Sequence, residues 1–196
     1  MCIRDSPYVT SSHPLSAGVC TGTGVGPMTI DAIYGVAKAY TTRVGKGPFP
    51  TELNDETGDY IRNKGGEFGT ITGRPRRTGW FDSVIVRHAV RVNGLSSLVI
   101  NKLDTLAGLD TLKVCVAYKK PDGTIIKDFP PTLEGLEGCE PVYEEFKGFT
   151  DDLSACRKFE ELPEACRKYI SRLEELCECP ISMVGVGPDR AQVIER

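Results

Sequence analysis

Leu95-Ser96-Ser97-Leu98-Val99-Ile100-Asn101-Lys102-Leu103-Asp104 is the stretch whose reading decides the fold. Its first six residues are a short, nearly continuous apolar run, which predicts a buried strand. The run then breaks abruptly into an amide and two charges. Upstream, Phe81, Val84, Ile85, His88, Ala89 and Val92 recur at helical spacing and stop near Asn93-Gly94. Downstream, Leu162, Ala165, Cys166, Tyr169, Ile170, Leu173 and Leu176 mark a second amphipathic helix, with charges on its other face. A last strand is expected from Ile181 to Val186, closing in Gly187-Pro188-Asp189-Arg190. Between these lie a strand over Leu112–Tyr118, a Pro121-Asp122-Gly123 turn and a return strand at Ile125-Ile126. Residues 129–140 read as loop, and Val142–Phe149 as a further strand. Helix–strand units mixed with a hairpin give an α/β or α+β class.

Toward the N-terminus, Ile30, Ile33, Tyr34, Ala37 and Tyr40 predict a helix over Thr29–Arg43, ended by Val44-Gly45 and Gly47-Pro48. Residues 7–28 and 45–79 read as loop. The second of these carries Gly58, Gly65, Gly66, Gly69, Gly73 and Gly79, and a long irregular stretch inside a compact domain is commonly functional.

The chain has 196 residues, 40% apolar and 26% charged, a globular composition that suits one ordinary domain or two small ones. The net charge of −3 argues against broad nucleic-acid binding, which shows a basic excess. No apolar run approaches the roughly 20 residues of a membrane span, and Met1–Ser6 is not a secretory signal. The eight cysteines include one C-x-C (Cys177, Cys179) and no paired C-x-x-C knuckles, so they read as free thiols rather than a zinc ribbon.

Three segments could carry chemistry. Asn101-Lys102-Leu103-Asp104 is an N-K-x-D at a strand's C-terminal edge, the arrangement with which GTP-binding proteins read guanine. Guanine offers an N1–H and a 2-amino group side by side, and one carboxylate accepts both. The other reading is a polar turn in which Asp104 caps the next element. The second segment is Thr70-Ile71-Thr72-Gly73-Arg74-Pro75-Arg76-Arg77-Thr78-Gly79-Trp80. Three arginines in four residues suit bidentate binding of a carboxylate or phosphate. Alternatively they form a basic surface loop paired with Glu52, Asp55 or Glu56. The third is Val9-Thr10-Ser11-Ser12, whose hydroxyls suit a phosphate or an ordinary cap. His13 and His88 are far apart, and His88 reads as a satisfied core or interface residue. The phosphate loop G-x-x-x-x-G-K-[ST] occurs nowhere, nor does G-x-S-x-G or H-E-x-x-H.

Taken together, the strings resemble the adenylosuccinate synthetase family. They are Pro7-Tyr8-Val9-Thr10-Ser11-Ser12, Thr42-Arg43-Val44-Gly45-Lys46-Gly47-Pro48-Phe49-Pro50-Thr51-Glu52, Asp55-Glu56-Thr57-Gly58 and Glu67-Phe68-Gly69. The arginine loop through Trp80, Lys102-Leu103-Asp104 and Gly187-Pro188-Asp189-Arg190 complete the set. The resemblance implies the C-terminal part of that family's P-loop-like α/β fold: a mixed sheet with flanking helices and a β-hairpin subdomain. It also implies a ligation of IMP and L-aspartate, driven by GTP with Mg2+, giving adenylosuccinate, GDP and phosphate. The setting would be a cytoplasmic homodimer in AMP biosynthesis. Thr10, Val44 and Arg74 would face IMP. Thr70, Ile71, Thr72, Gly73, Arg74, Pro75 and Arg76 would bind aspartate. Arg76, Lys102, Leu103, Asp104, Gly185, Val186 and Gly187 would bind GTP, the last three through backbone N–H groups. The family's S-T-G-P is replaced at Gly185-Val186, which removes a hydroxyl there. The Mg2+ ligands and the catalytic residues are expected upstream of Pro7, so the chain is expected to be an inactive fragment, with Met1–Ser6 a non-native start. Residues 7–94 would be a helical, loop-rich substrate region and 95–196 an α/β guanine-binding region, with both ligand groups in one cleft. The competing readings are a non-catalytic purine- or anion-binding module and an interaction fragment.

Overall fold

The computed structural model describes residues 15–132, 134–149 and 152–196. In chain order the elements are α1 (Gly18–Thr23), β1 (Tyr34–Lys38), β2 (Thr41–Arg43), α2 (Glu56–Lys64), β3 (Arg77–Gly79), β4 (Phe81–Asp82) and α3 (Ser83–Asn93). They continue as β5 (Ser97–Asn101), α4 (Leu103–Leu106), β6 (Thr111–Lys119), β7 (Ile125–Ile126), β8 (Glu140–Lys147), α5 (Glu164–Cys177), β9 (Ile181–Gly185) and β10 (Val193–Glu195).

The central sheet has the order β1-β5-β9-β10. β1, β5 and β9 run parallel, and β10 returns antiparallel to β9. The decisive run reads as expected: Leu98 and Ile100 of β5 are fully buried. Tyr169, Ile170 and Leu173 of α5 belong to the same core, and the Tyr169 hydroxyl donates to Ala39 O at 3.2 Å. A second sheet is built on β6, parallel to β4 and antiparallel to β7 and β8. The expected turn joins β6 to β7, with Gly123 in the left-handed region. β2 and β3 form a small antiparallel pair. The architecture is therefore α/β with mixed sheets and flanking helices.

α3 shows why its sequence starts where it does. Asp82 caps it, accepting from Val84 N at 3.0 Å and Ile85 N at 3.1 Å. Gly94, at φ 60, ends it. Asp82 is itself buried and takes a 2.6 Å hydrogen bond from the Tyr118 hydroxyl.

Three expectations fail here. The helix over Thr29–Arg43 is instead a one-turn 3-10 helix (Pro27–Thr29) followed by β1 and β2. Its apolar spacing fits a helix, but pairing decides: Tyr34 through Lys38 lie in parallel register with Ser97 through Asn101. A Cβ at position 35 would come within 2.3 Å of Leu95 Cδ1, so the glycine lets β1 lie close over the segment leading into β5. The loop over 45–79 contains α2 and β3. Asp55 starts α2 by accepting from Gly58 N at 2.9 Å, with acidic residues in the first turn and basic ones in the last. Likewise, residues 7–28, read as loop, hold α1.

Candidate functional site

The C-terminal edge of the parallel strands gathers the first group of residues. β5 ends at Asn101 and β9 at Gly185, one step beyond the paired Ile100 and Val184. A Cβ on residue 185 would lie 2.6 Å from Asn101 Oδ1, so a larger residue here would have to displace the Asn101 side chain. Lys102 then turns the chain at φ 62 and ψ 34, a left-handed conformation costly for a residue with a Cβ. That turn drops Leu103 into the core and places Asp104 in the first turn of α4.

Asp104 lines a cavity of about 410 Å³ together with Val186, Gly187, Pro188, Tyr60 and Lys64. Among the described residues its carboxylate has no hydrogen-bond or ion-pair partner. The facing loop presents its backbone unequally. The Val186 N–H donates to Gln192 O at 2.9 Å and is not open to a ligand, whereas Gly187 reaches the cavity wall.

The arginine loop is a small hairpin rooted at Glu67. Arg76 N donates to Glu67 O at 2.9 Å, Gly69 N to Arg74 O at 2.8 Å and Gly73 N to Gly69 O at 2.8 Å. Phe68 and Pro75 face each other across it. Thr70, Ile71, Thr72 and Gly73 form an exposed tip, with Ile71 98% exposed.

The three arginines go different ways. Arg77 is structural. Its guanidinium forks onto Glu52, with both contacts at 2.6 Å, and it also donates to Gly45 O at 3.1 Å and Gly47 O at 2.9 Å. The expected pairing with Glu52 is thus present, for this arginine alone. Arg76 donates to Glu67 Oε2 at 2.8 Å. Arg74 is exposed and makes no ion pair among the described residues.

Arg74, Arg76 and Arg77 line a cavity of about 520 Å³ with Arg43, Val44 and Lys46. No carboxylate lines it; Arg77 is held by Glu52 and Arg76 by Glu67, while Arg74 makes no ion pair among the described residues, so the cationic wall suits an anion.

The arginine loop and the Lys102–Asp104 segment each border a cavity. They are joined through Glu67, a residue of the Glu67-Phe68-Gly69 string to which the sequence assigned no role. This carboxylate is 1% exposed. It receives Lys38 Nζ at 2.7 Å and the Tyr40 hydroxyl at 2.6 Å on Oε1, and Arg76 on Oε2. Lys102 Nζ lies 3.7 Å from Oε1 and also donates to Gly65 O. Burial raises the Glu67 pKa, but the bonds from Lys38, Tyr40 and Arg76 outweigh it and hold the carboxyl below its ordinary value. Burial lowers the Lys38 pKa more than Glu67 raises it. An acid directly beside an arginine-rich loop was the signal that could have found it.

Thr10 and His13 lie outside the described residues. His88 is not satisfied: its Nδ1 is buried without a hydrogen-bond partner among the described residues, and its ring packs on Phe129 at 5.2 Å between centroids. Cys115, Cys139, Cys166, Cys177 and Cys179 are buried free thiols, with Cys166 and Cys177 pushed up to about 12 by burial. Among the described residues, no group of three or more His, Cys, Asp or Glu could hold a metal ion. No described helix is long and apolar enough to cross a membrane.

Comparison with known proteins agrees along nearly the whole sequence. The family model described as adenylosuccinate synthetase matches residues 5–194. The adenylosuccinate synthetase of Heliobacterium modesticaldum is 59% identical over 189 residues, which is 96% of this chain and 44% of that protein. That of Brevibacillus brevis is 58% identical over 188 residues, with the same coverage of each. The chain thus spans under half the length of these relatives. The structure of fully ligated adenylosuccinate synthetase from Plasmodium falciparum superposes with a TM-score of 0.93 at 42% identity, covering 98% of this chain and 46% of that one. The succinoaminodeoxyadenylate synthetase of cyanophage S-2L shares the fold alone, at a TM-score of 0.53 and 18% identity. A match over so much of the sequence, on a backbone this close to a solved relative, makes the chain a member of the adenylosuccinate synthetase family.

Proposed function

We propose that this chain supplies the guanine-reading and anion-binding parts of a GTP-dependent ligase that joins IMP and L-aspartate. The observation that carries the proposal is the unpartnered Asp104 carboxylate, in a cavity it shares with Gly187 at the strand edge. Guanine is the purine whose paired donors match a free carboxylate. Lys102 and Leu103 frame it, and Gly185 and Gly187 let the second loop approach.

In the cationic cavity, Arg74, with Thr70–Arg76, takes aspartate and Arg76 reaches toward GTP. Val44, Arg74 and Thr10 face IMP. In the ligation GTP phosphorylates the 6-oxygen of IMP, and the aspartate amine then displaces that phosphate. The chain's own contribution is to orient the two anionic reactants and to stabilise charge that builds between them.

The described residues offer no cluster fit for Mg2+. Catalysis, the Mg2+ ligands and the homodimer are assigned to the full-length chain, in the cytoplasm. The division into residues 7–94 and 95–196 is proposed as one of roles. The core is continuous across it, since β1 pairs with β5.

The test is Asp104→Asn in the full-length protein. An amide in place of the carboxylate presents one donor and one acceptor. GTP affinity should fall by about tenfold or more, while xanthosine triphosphate, whose 2-oxygen accepts that donor, gains. Equal GTP binding by both proteins would remove the guanine assignment.

A further inference from the structure

Glu67 carries a charge arrangement that neither cavity explains by itself. Its carboxylate is buried, yet three cations reach it: Lys38 at 2.7 Å, Arg76 at 2.8 Å and Lys102 at 3.7 Å. One negative charge against three positive ones is too little to serve as a closed structural pair. The three cations also come from different places. Lys38 ends β1, Arg76 closes the arginine hairpin, and Lys102 belongs to the segment beside the Asp104 cavity.

Glu67 is the hairpin's root as well. Its carbonyl accepts the Arg76 N–H at 2.9 Å while its side chain holds the Arg76 guanidinium. A change in how tightly Lys102 is held therefore reaches the base of the loop through a single buried carboxylate.

We propose that Glu67 is a positioning residue that couples occupancy of the Asp104 cavity to the ordering of the arginine loop. The proposal rests on the guanine assignment above. A guanine base seated on Asp104 immobilises Lys102 beside it. The ammonium then presses on Glu67 Oε1, and the carboxylate's other oxygen fixes Arg76. Nucleotide binding thereby stiffens residues 67–76 before the second substrate arrives, which lowers the ordering cost of that later step. The loop is suited to this: its tip is exposed and turns through Gly73 at φ 62, while its root is buried.

The experiment measures amide hydrogen exchange of residues 67–76 in the full-length protein, with and without saturating GDP, and with ADP as control. In the wild type GDP should slow exchange at Gly69, Gly73 and Arg76 by about tenfold, and ADP should not. In Glu67→Gln that ratio should fall toward one at saturating GDP. A merely structural role would speed exchange in both states and leave the ratio intact, and that result would overturn the proposal. A wild-type loop that ignores bound GDP would overturn it too, while leaving the guanine assignment standing. Failure of the wild type to bind GDP would remove that assignment and the coupling with it. Should Glu67→Gln not fold, as judged by circular dichroism, Lys102→Met serves instead. It leaves the carboxylate with Lys38, Tyr40 and Arg76 but removes the ammonium that reaches Oε1 from beside the Asp104 cavity, and should reduce the effect of saturating GDP at least about threefold. An unchanged effect would overturn the proposal.

Discussion

Gly185 lies against Asn101 so closely that a methyl group on it would sit 2.6 Å from the amide oxygen. This contact locks the end of β9 to the residue that opens the Lys102–Asp104 turn. Two loops distant in sequence are thereby set at one height on the strand edge.

Gly185→Ala should therefore push Asn101 aside and misplace the turn behind it. The cost expected for such overpacking is about 1–3 kcal/mol. GTP affinity, measured by calorimetry on the full-length protein, should fall by about tenfold while thermal stability drops modestly. Unchanged GTP binding would mean that the strand ends move independently.

Arg77→Lys is a test of the cationic cavity's frame. The guanidinium joins Glu52 to the carbonyls of Gly45 and Gly47 and lies over Phe49 at 5.4 Å. A lysine replaces one fork contact and drops the rest. We expect a loss of about 1–2 kcal/mol in unfolding free energy and, on the proposed assignment of Val44 to IMP, a weaker affinity for IMP in the full-length protein. Full retention of both would show that the loop holds its shape without Arg77.

Gly73, at φ 62, has nothing within 4 Å of where a Cβ would stand, so only its backbone conformation is at stake. Gly73→Ala should disfavour the hairpin tip by about 1 kcal/mol and weaken aspartate binding severalfold. Gly73→Asn should recover part of the loss, because asparagine tolerates the left-handed region better. Equal effects of the two substitutions would argue against a conformational origin.

Asp82 gives a pH dependence with a definite sign. Burial raises its pKa from 3.8 to about 6, despite the bonds from Tyr118, Ile85 and Val84. The folded state then binds the proton more tightly than the unfolded chain. Its contribution is fully present below pH 4 and is lost as the pH rises toward 6, by on the order of 3 kcal/mol. The difference in unfolding free energy between wild type and Asp82→Asn should therefore shift against the wild type over that window and stay flat above it. A difference independent of pH would show that Asp82 is ionised throughout.

Much of the fold was readable in residues whose local preference and long-range partners agree. The Leu95–Ile100 run, the two long amphipathic helices and the Pro121-Asp122-Gly123 turn all stand where their patterns placed them. The segment after Thr29 was not readable, because its apolar spacing suits a helix and only the neighbouring β5 makes it a strand. α2 was hidden by the glycines around it, although Asp55 supplied a capping signal. The Asn101–Asp104 segment and the arginine loop were visible as motifs. The contacts of Glu67 were not, since charge compensation among residues 38, 67, 76 and 102 is a property of the folded chain alone.

The left-handed backbone at Lys102 sets stability against activity at a single position. Conformation there favours glycine, which would relieve strain of about 1 kcal/mol, and a screen for thermal robustness would select it. Such a variant would melt later and yet lose the ammonium that touches Gly65 and Glu67. Efforts to harden this protein should leave that residue alone, because the ammonium it carries is a partner of the buried Glu67.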